Sequence, residues 1–503
     1  MHEVYSLIKS MDGAEKRYFR LYSGLHTGGN NKYIKLFDLI ESGSAIEGLS
    51  KSQLPNLRNY LTRQILSALR LYTNSHSIDI VLREILDEIE ILYDRKLYKS
   101  CYKRIRKLKK LAKDNERYLY LAAALRWEDM TDKFILNIKK IEEKINNSYS
   151  EELDAVNQYG NQVKYTNLIS RLLLLEYKQG YERNPETTRQ MEELLNSPLM
   201  KADERNLPER IRLMINQVKC TYYYSKENYP ETGKYLQKII GLIEQQKFLS
   251  ANQMTGYLTQ LKNQLIIFSY LKDEDRFFNT LEKMRGLPEK HPNISRKELD
   301  KMIYEASTSE EINYYMLSGK MKEALSKTEY AETGLKKYAG KLLKINELSI
   351  LYNLASVYHY NGRFDESIDR INKILNYPDT TISENIFCFT RLLFLMVNYD
   401  MGNYDLVESR IKSTGRFLNK RNKLYKFESL ILRSIRKLLN AAGRANELRI
   451  LNGIKNDIEF ISGEPFEKRA ADDLEIAAWI NSKIKRSPFI DEIKLYKEEQ
   501  QKQ

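Results

Sequence analysis

The feature that most restricts what this chain can fold into is the stretch Leu351–Pro378, LYNLASVYHYNGRFDESIDRINKILNYP. Leu351, Leu354, Ala355 and Tyr358 share one face of a helix, because they follow the 3, 4, 7 spacing of a 3.6-residue period. Asn361-Gly362 then breaks that helix, since glycine closes a left-handed turn without a steric penalty. Phe364, Ser367, Ile371 and Ile374 open a second apolar face, and Pro378 ends it. The pattern predicts one helical hairpin. A lone hairpin cannot cover its own apolar face, so copies of it must stack.

Copies are present. Turn-following residues recur at Tyr229, Phe277, Met321, Phe364, Tyr404 and Ala445, at intervals of 48, 44, 43, 40 and 41 residues. Leu97 and Tyr181 continue the series upstream, 84 residues apart, or two such periods. In three copies a glycine is followed two positions on by a bulky residue, then three further on by a small or aliphatic one. These are Gly319, Met321, Ala324; Gly362, Phe364, Ser367; and Gly402, Tyr404, Val407, with Gly443, Ala445, Leu448 as a degenerate fourth. The glycine ends one helix, the bulky residue wedges between the pair, and the small one permits close approach.

These residues resemble the tetratricopeptide repeat family. The likeness rests on Leu351, Leu354, Ala355, Tyr358, Gly362, Phe364, Ser367 and Ile371, and covers about residues 305 to 455. The family repeats at about 34 residues, so longer helices are needed here. The resemblance implies an all-α, right-handed α-solenoid of antiparallel hairpins with a concave groove for a peptide or protein partner. It places Asn353, Ser356, His359 and Tyr360, with Tyr399 from the next copy, along that groove. The amide of Asn353 would hold an extended peptide backbone. The expected division is an N-terminal helical cap (1–75), degenerate repeats (76–205), tetratricopeptide-like repeats (206–486) and a C-terminal capping helix with a polar tail (487–503).

Composition agrees with an all-helical chain: 21 Gly and 10 Pro in 503 residues leave few helix breakers, and no run alternates as a strand would. Asp12-x-x-Glu15 is a capping box for a helix through Tyr18, Phe19 and Tyr22. A glycine-bearing loop, Ser23–Asn31, leads to a second helix with Tyr33, Leu36, Phe37 and Ile40 inside. A third, capped by Ser50 and Gln53, buries Leu57, Leu61, Ile65 and Ala68 and leaves Arg58, Arg63 and Arg70 outside. A helix-turn-helix reading is disfavoured, because Ser42–Leu49 is longer than the 3–4-residue turn of that motif. Further along, Thr131-Asp132 reads as a break and Ser150 as a helix N-cap.

No chemistry assembles in the sequence. His2, His26, His76, His291 and His359 are isolated, so no metal-ligand pair exists. Gly233-Lys234 and Gly319-Lys320 lack the rest of a phosphate loop. Cys101, Cys220 and Cys388 form no CxxC, which argues against a disulfide framework and for a reducing compartment. The N-terminus lacks a basic-then-apolar leader, and the apolar runs fall short of the roughly 20 residues a bilayer needs. The expectation is a cytoplasmic, non-enzymatic interaction scaffold with no cofactor and no metal.

The net charge of +14 permits an anionic partner. Lys99–Lys113 holds eight basic residues and no acidic one, with Lys103, Arg106, Lys107, Lys110 and Lys113 forming a ridge opposite the apolar face. Arg410–Lys426 adds seven more without an acid. The alternative expectation is therefore a nucleic-acid-associated protein, either a regulator contacting DNA through the N-terminal helices or an RNA binder using the ridges.

Overall fold

The computed structural model describes residues 3–26, 32–44, 52–73, 77–136, 138–179, 185–201, 203, 207–245, 249, 251–463, 467 and 474–502. His2, His76, Ser50, Tyr181 and most of the Ser23–Asn31 loop, which figure in the sequence reading, lie outside them. The fold is all-α: helices follow one another in close succession, and no strand occurs among the described residues. The chain divides into two compact units, Met1–Val163 and Lys164–Gln503.

The first unit holds α1 (Glu3–Ser10), α2 (Gly13–His26), α3 (Lys32–Ser42), α4 (Leu54–Thr73), α5 (Ile78–Asp94), α6 (Tyr98–Asp114), α7 (Tyr118–Ile135) and the first part of α8 (Ile138–Gln179). The capping box forms as the sequence predicts: Glu15 N–H donates to Asp12 Oδ1 at 2.8 Å, and Asp12 N–H to Glu15 Oε2 at 2.8 Å. Phe19, Leu36, Phe37, Leu61 and Ile65 are fully buried where α1 to α4 meet. Arg58 does not stay outside; it bonds Tyr5 Oη at 3.2 Å. Thr131-Asp132 is not a break. Both are buried inside α7, Thr131 Oγ1 donating to Trp127 O and Asp132 accepting from Lys144. Ser150 is likewise interior to α8 and no N-cap.

The second unit continues with α9 (Pro185–Leu195), α10 (Glu209–Ser225), α11 (Tyr229–Glu244), α12 (Ala251–Tyr270), α13 (Glu274–Arg285), α14 (Leu287–Lys290), α15 (Arg296–Leu317), α16 (Met321–Ser326) and α17 (Thr328–Lys337). Then come α18 (Lys344–Tyr360), α19 (Phe364–Leu375), α20 (Glu384–Asp400), α21 (Tyr404–Lys420), α22 (Lys426–Leu439), α23 (Gly443–Ser462), α24 (Ile476–Lys485) and α25 (Phe489–Lys502). Consecutive helices pair, and α12, α15, α18, α20 and α22 also pack on one another in series. That is the arrangement of a helical-repeat array.

One turn recurs through both units. Residues in left-handed conformation occur at Lys96, Glu116, Glu227, Lys272, Gly319, Gly362 and Gly402, with φ between 52° and 79°. The next N–H reaches back to the carbonyl five residues earlier, as in Leu97 to Leu92, Asn228 to Tyr223 and Arg363 to Tyr358, at 2.8 to 2.9 Å. Two positions beyond the left-handed residue stands Tyr98, Tyr118, Tyr229, Met321, Phe364 or Tyr404, only Glu274 departing. Five beyond stands a buried residue: Cys101, Leu121, Thr232, Phe277, Ala324, Ser367 or Val407. There the paired helices touch, Ser367 Oγ donating to Ala355 O at 2.8 Å and Cys101 Sγ contacting Ile89 O at 3.5 Å. Phe277 therefore holds the close-approach position and not the turn-following one.

Four of these turns place a side chain where φ is positive, at a steric cost of about 1 kcal/mol each. Replacing Lys272 by glycine, or Lys96, Glu116 or Glu227, is expected to raise the denaturant midpoint by the equivalent of roughly 0.5 kcal/mol, some of the relief being lost to the freer unfolded chain. A midpoint that falls for all four would show that these side chains hold the turns by contacts of their own.

Candidate partner-binding surfaces

The residues that the sequence places on a groove wall lie at the C-terminal half of α18 and the end of α20. All five are covered: Asn353 and Tyr399 are 9% exposed, Tyr360 3%, and Ser356 and His359 1%. Asn353 Nδ2 donates to the carbonyl and the hydroxyl of Ser309 on α15, at 2.9 and 3.0 Å. Its amide ties neighbouring repeats together instead of reaching outward.

His359, Tyr360 and Tyr399 are covered by the pair α24 and α25. Phe489 packs on the rings of His359 and Tyr360, with centroids 5.3 and 5.2 Å apart. Trp479 meets Tyr399 at 5.7 Å. Beneath them sits the Asp400 carboxylate, 4% exposed, which accepts from Trp479 Nε1 at 3.0 Å, from His359 Nε2 at 2.9 Å and from Lys483 Nζ at 2.6 Å. Burial pushes this carboxyl upward, but the His359 hydrogen bond and the charges of His359 and Lys483 outweigh it and hold it below the usual aspartate range. A second buried pair, Lys497–Glu475 at 2.7 Å, pins α25. The docked helices occupy the very ends of α18 and α20 that a partner was expected to touch.

The inner helices also carry buried charge. Glu305, Glu310 and Glu311 of α15 are all under 10% exposed. Glu305 accepts from Leu343 N–H at 2.5 Å, Glu310 faces Lys262 at 3.5 Å, and Glu311 pairs with Arg285 and Lys327 at 2.8 and 2.9 Å. Burial raises the Glu310 carboxyl, with Lys262 opposing. Their partners come from neighbouring helices and from the caps of α16 and α18 that lie beside α15.

The basic ridge of α6 is where the sequence puts it. Lys103, Arg106, Lys107, Lys110 and Lys113 are all exposed, while Cys101, Ile105, Leu108 and Ala112 are buried. Lys113 approaches Glu151 at 3.9 Å, and the other four make no ion pair among the described residues. Their neighbour Lys109 behaves differently, turning inward to Glu128 and Glu151 at 3.1 and 2.7 Å.

The second basic run divides in the same way. Arg421 is used internally, lying over Phe417 at 3.7 Å and bonding Thr380 Oγ1 at 2.9 Å, and Lys423 is buried. Lys412 and Arg416 instead face Arg433 and Arg436 of α22 across a cleft of 540 Å³, floored by Ile411, Gly415 and Leu432. The sequence signalled half of this cleft; the other half comes from a helix that alternates basic and buried residues and forms no uninterrupted basic run.

Among the described residues, no group of three or more His, Cys, Asp and Glu could hold a metal ion, and no helix is long and apolar enough to cross a membrane. No protein-family model matches the chain, and none of the curated proteins compared with it is similar to it.

Proposed function

We propose that this chain is a non-enzymatic interaction scaffold, a tetratricopeptide-like right-handed solenoid that binds a protein or peptide partner. The observation that carries the reading is the capture of α24 and α25 along the ends of α18 and α20. A row of helix ends that seats a helix pair through an aromatic anchor and a buried carboxylate supports recognition of helical or extended segments. Capture by nuclease-treated full-length protein at moderate salt, followed by reconstitution from purified components, tests it. Retention that disappears with nuclease, leaving no protein partner, would sink it.

A second reading, nucleic-acid association, is favoured by the four cations of the α6 ridge that make no ion pair among the described residues. Reversing Lys103, Lys107 and Lys110 to Glu alters only exposed positions, so the helical circular dichroism should be unchanged. On this reading the triple variant loses affinity for a generic duplex or single strand, and the salt dependence of binding becomes shallower, by about one power of salt for each phosphate contact removed. Unchanged nucleic-acid affinity in the variant excludes the ridge.

A further inference from the structure

The cleft between α21 and α22 joins an apolar floor to charges that make no ion pair among the described residues. Its volume is about 540 Å³ and it opens broadly to solvent. Ile411 and Leu432 form an aliphatic floor beside Gly415, where a Cβ would come into ordinary contact with Leu432 Cδ1 at 3.5 Å. Lys412 and Arg416 stand one helical turn apart on one wall, with Arg433 and Arg436 nearly a turn apart on the other. All four are exposed, and none makes an ion pair among the described residues, although Arg433 Nε bonds Ser429 O. No carboxylate lines the cleft; Glu408, one turn before Lys412, is exposed and unpaired with it. Four like charges facing one another raise the energy of the empty cleft, and an anion relieves that repulsion.

The floor decides which anion. A nucleic-acid strand would want an aromatic platform for its bases and amide or carboxylate groups to read their edges, and the lining has neither. Aliphatic side chains suit an aliphatic side chain. Three of the four cations are arginines, whose planar forks match carboxylates in pairs. We infer that this cleft binds a short acidic peptide segment, seating one leucine-like side chain on Ile411 and Leu432 while flanking carboxylates are held by Lys412, Arg416, Arg433 and Arg436. The assignment rests on the scaffold reading and names the chemistry of the partner.

Fluorescence anisotropy on the full-length chain tests it, with a labelled peptide in which leucine is flanked by glutamates. Arg416→Glu with Arg433→Glu should weaken binding at least about tenfold. Gly415→Leu, which keeps every charge but fills the floor, should do the same. Replacing the peptide's leucine by serine should also weaken binding, and inorganic phosphate should not compete. The inference is overturned if the peptide does not bind, if either variant binds it as the wild type does, if the serine peptide binds equally, or if a single-stranded oligonucleotide displaces it at lower concentration. A protein partner that the charge-reversed variant still retains would overturn the cleft assignment and leave the scaffold reading standing.

Discussion

Asp400→Ala is expected to destabilise the second unit by about 3 to 5 kcal/mol, the loss typical of removing one partner from a buried charge cluster. The variant strips Trp479 Nε1 and Lys483 of their shared acceptor and leaves the buried His359 Nε2 facing a void. Asp400→Asn keeps one acceptor oxygen and should cost less. The chain has two tryptophans, Trp127 and Trp479, so a Trp127→Phe background isolates the relevant one. Its emission should shift to the red in Asp400→Ala before the helical signal falls, because α24 loosens first. The pH dependence follows from the direction of the shift. The folded carboxyl is held below the ordinary aspartate value of about 3.9, so the unfolded chain takes up the proton first. The stability it supplies is complete above roughly pH 5 and is lost as acid titrates the folded group, and this slope should be absent in Asp400→Ala. An acid limb that persists unchanged would assign it to other carboxylates.

Gly334→Ala is the second large effect, and it needs no charge. A Cβ at Gly334 would fall 2.0 Å from Tyr304 Cε2, well inside any real contact. The ring cannot yield, because Tyr304 is 1% exposed and its hydroxyl donates to Ala331 O at 2.6 Å. Helix propensity favours alanine by about 1 kcal/mol, so a surface glycine replaced this way would stabilise α17. Here overpacking should win, for a net loss of about 1 to 2 kcal/mol. Tyr304→Phe with Gly334→Ala should recover little, since the clash is with the ring. Adding Tyr304→Leu should recover more. Equal stability of Gly334→Ala and wild type in a denaturant titration would mean that the two helices separate freely.

How much of this was legible depended on where each determinant sits. The Gly319, Gly362 and Gly402 turns announce themselves because glycine is the residue for positive φ. The same turn at Lys96, Glu116, Glu227 and Lys272 has no glycine to mark it; the repeat spacing reached those before Leu97 and Tyr229, and a tyrosine stands two places on at three of the four. Thr131-Asp132 and Ser150 misled because short polar residues sit inside a helix when they point to solvent, as Ser150 does, or bond the preceding turn, as Thr131 does to Trp127 O. Asp132 meets Lys144, and α8 contains no proline. The covering of His359 and Tyr399 had no local signal at all. Trp479 and Phe489 lie far along the chain from the helices they cap, and no period links them. The α21 half of the cationic cleft was readable as a run without acids, whereas Arg433 and Arg436 joined it only through packing.

The late position of that helix pair bears on biosynthesis. A ribosome releases α18 and α20 well before Trp479 and Phe489 exist to shield them, so the nascent chain carries naked aromatic and charged surface until its closing segment emerges. Prematurely stopped products should therefore be clients for chaperones and proteases even when every preceding hairpin is intact.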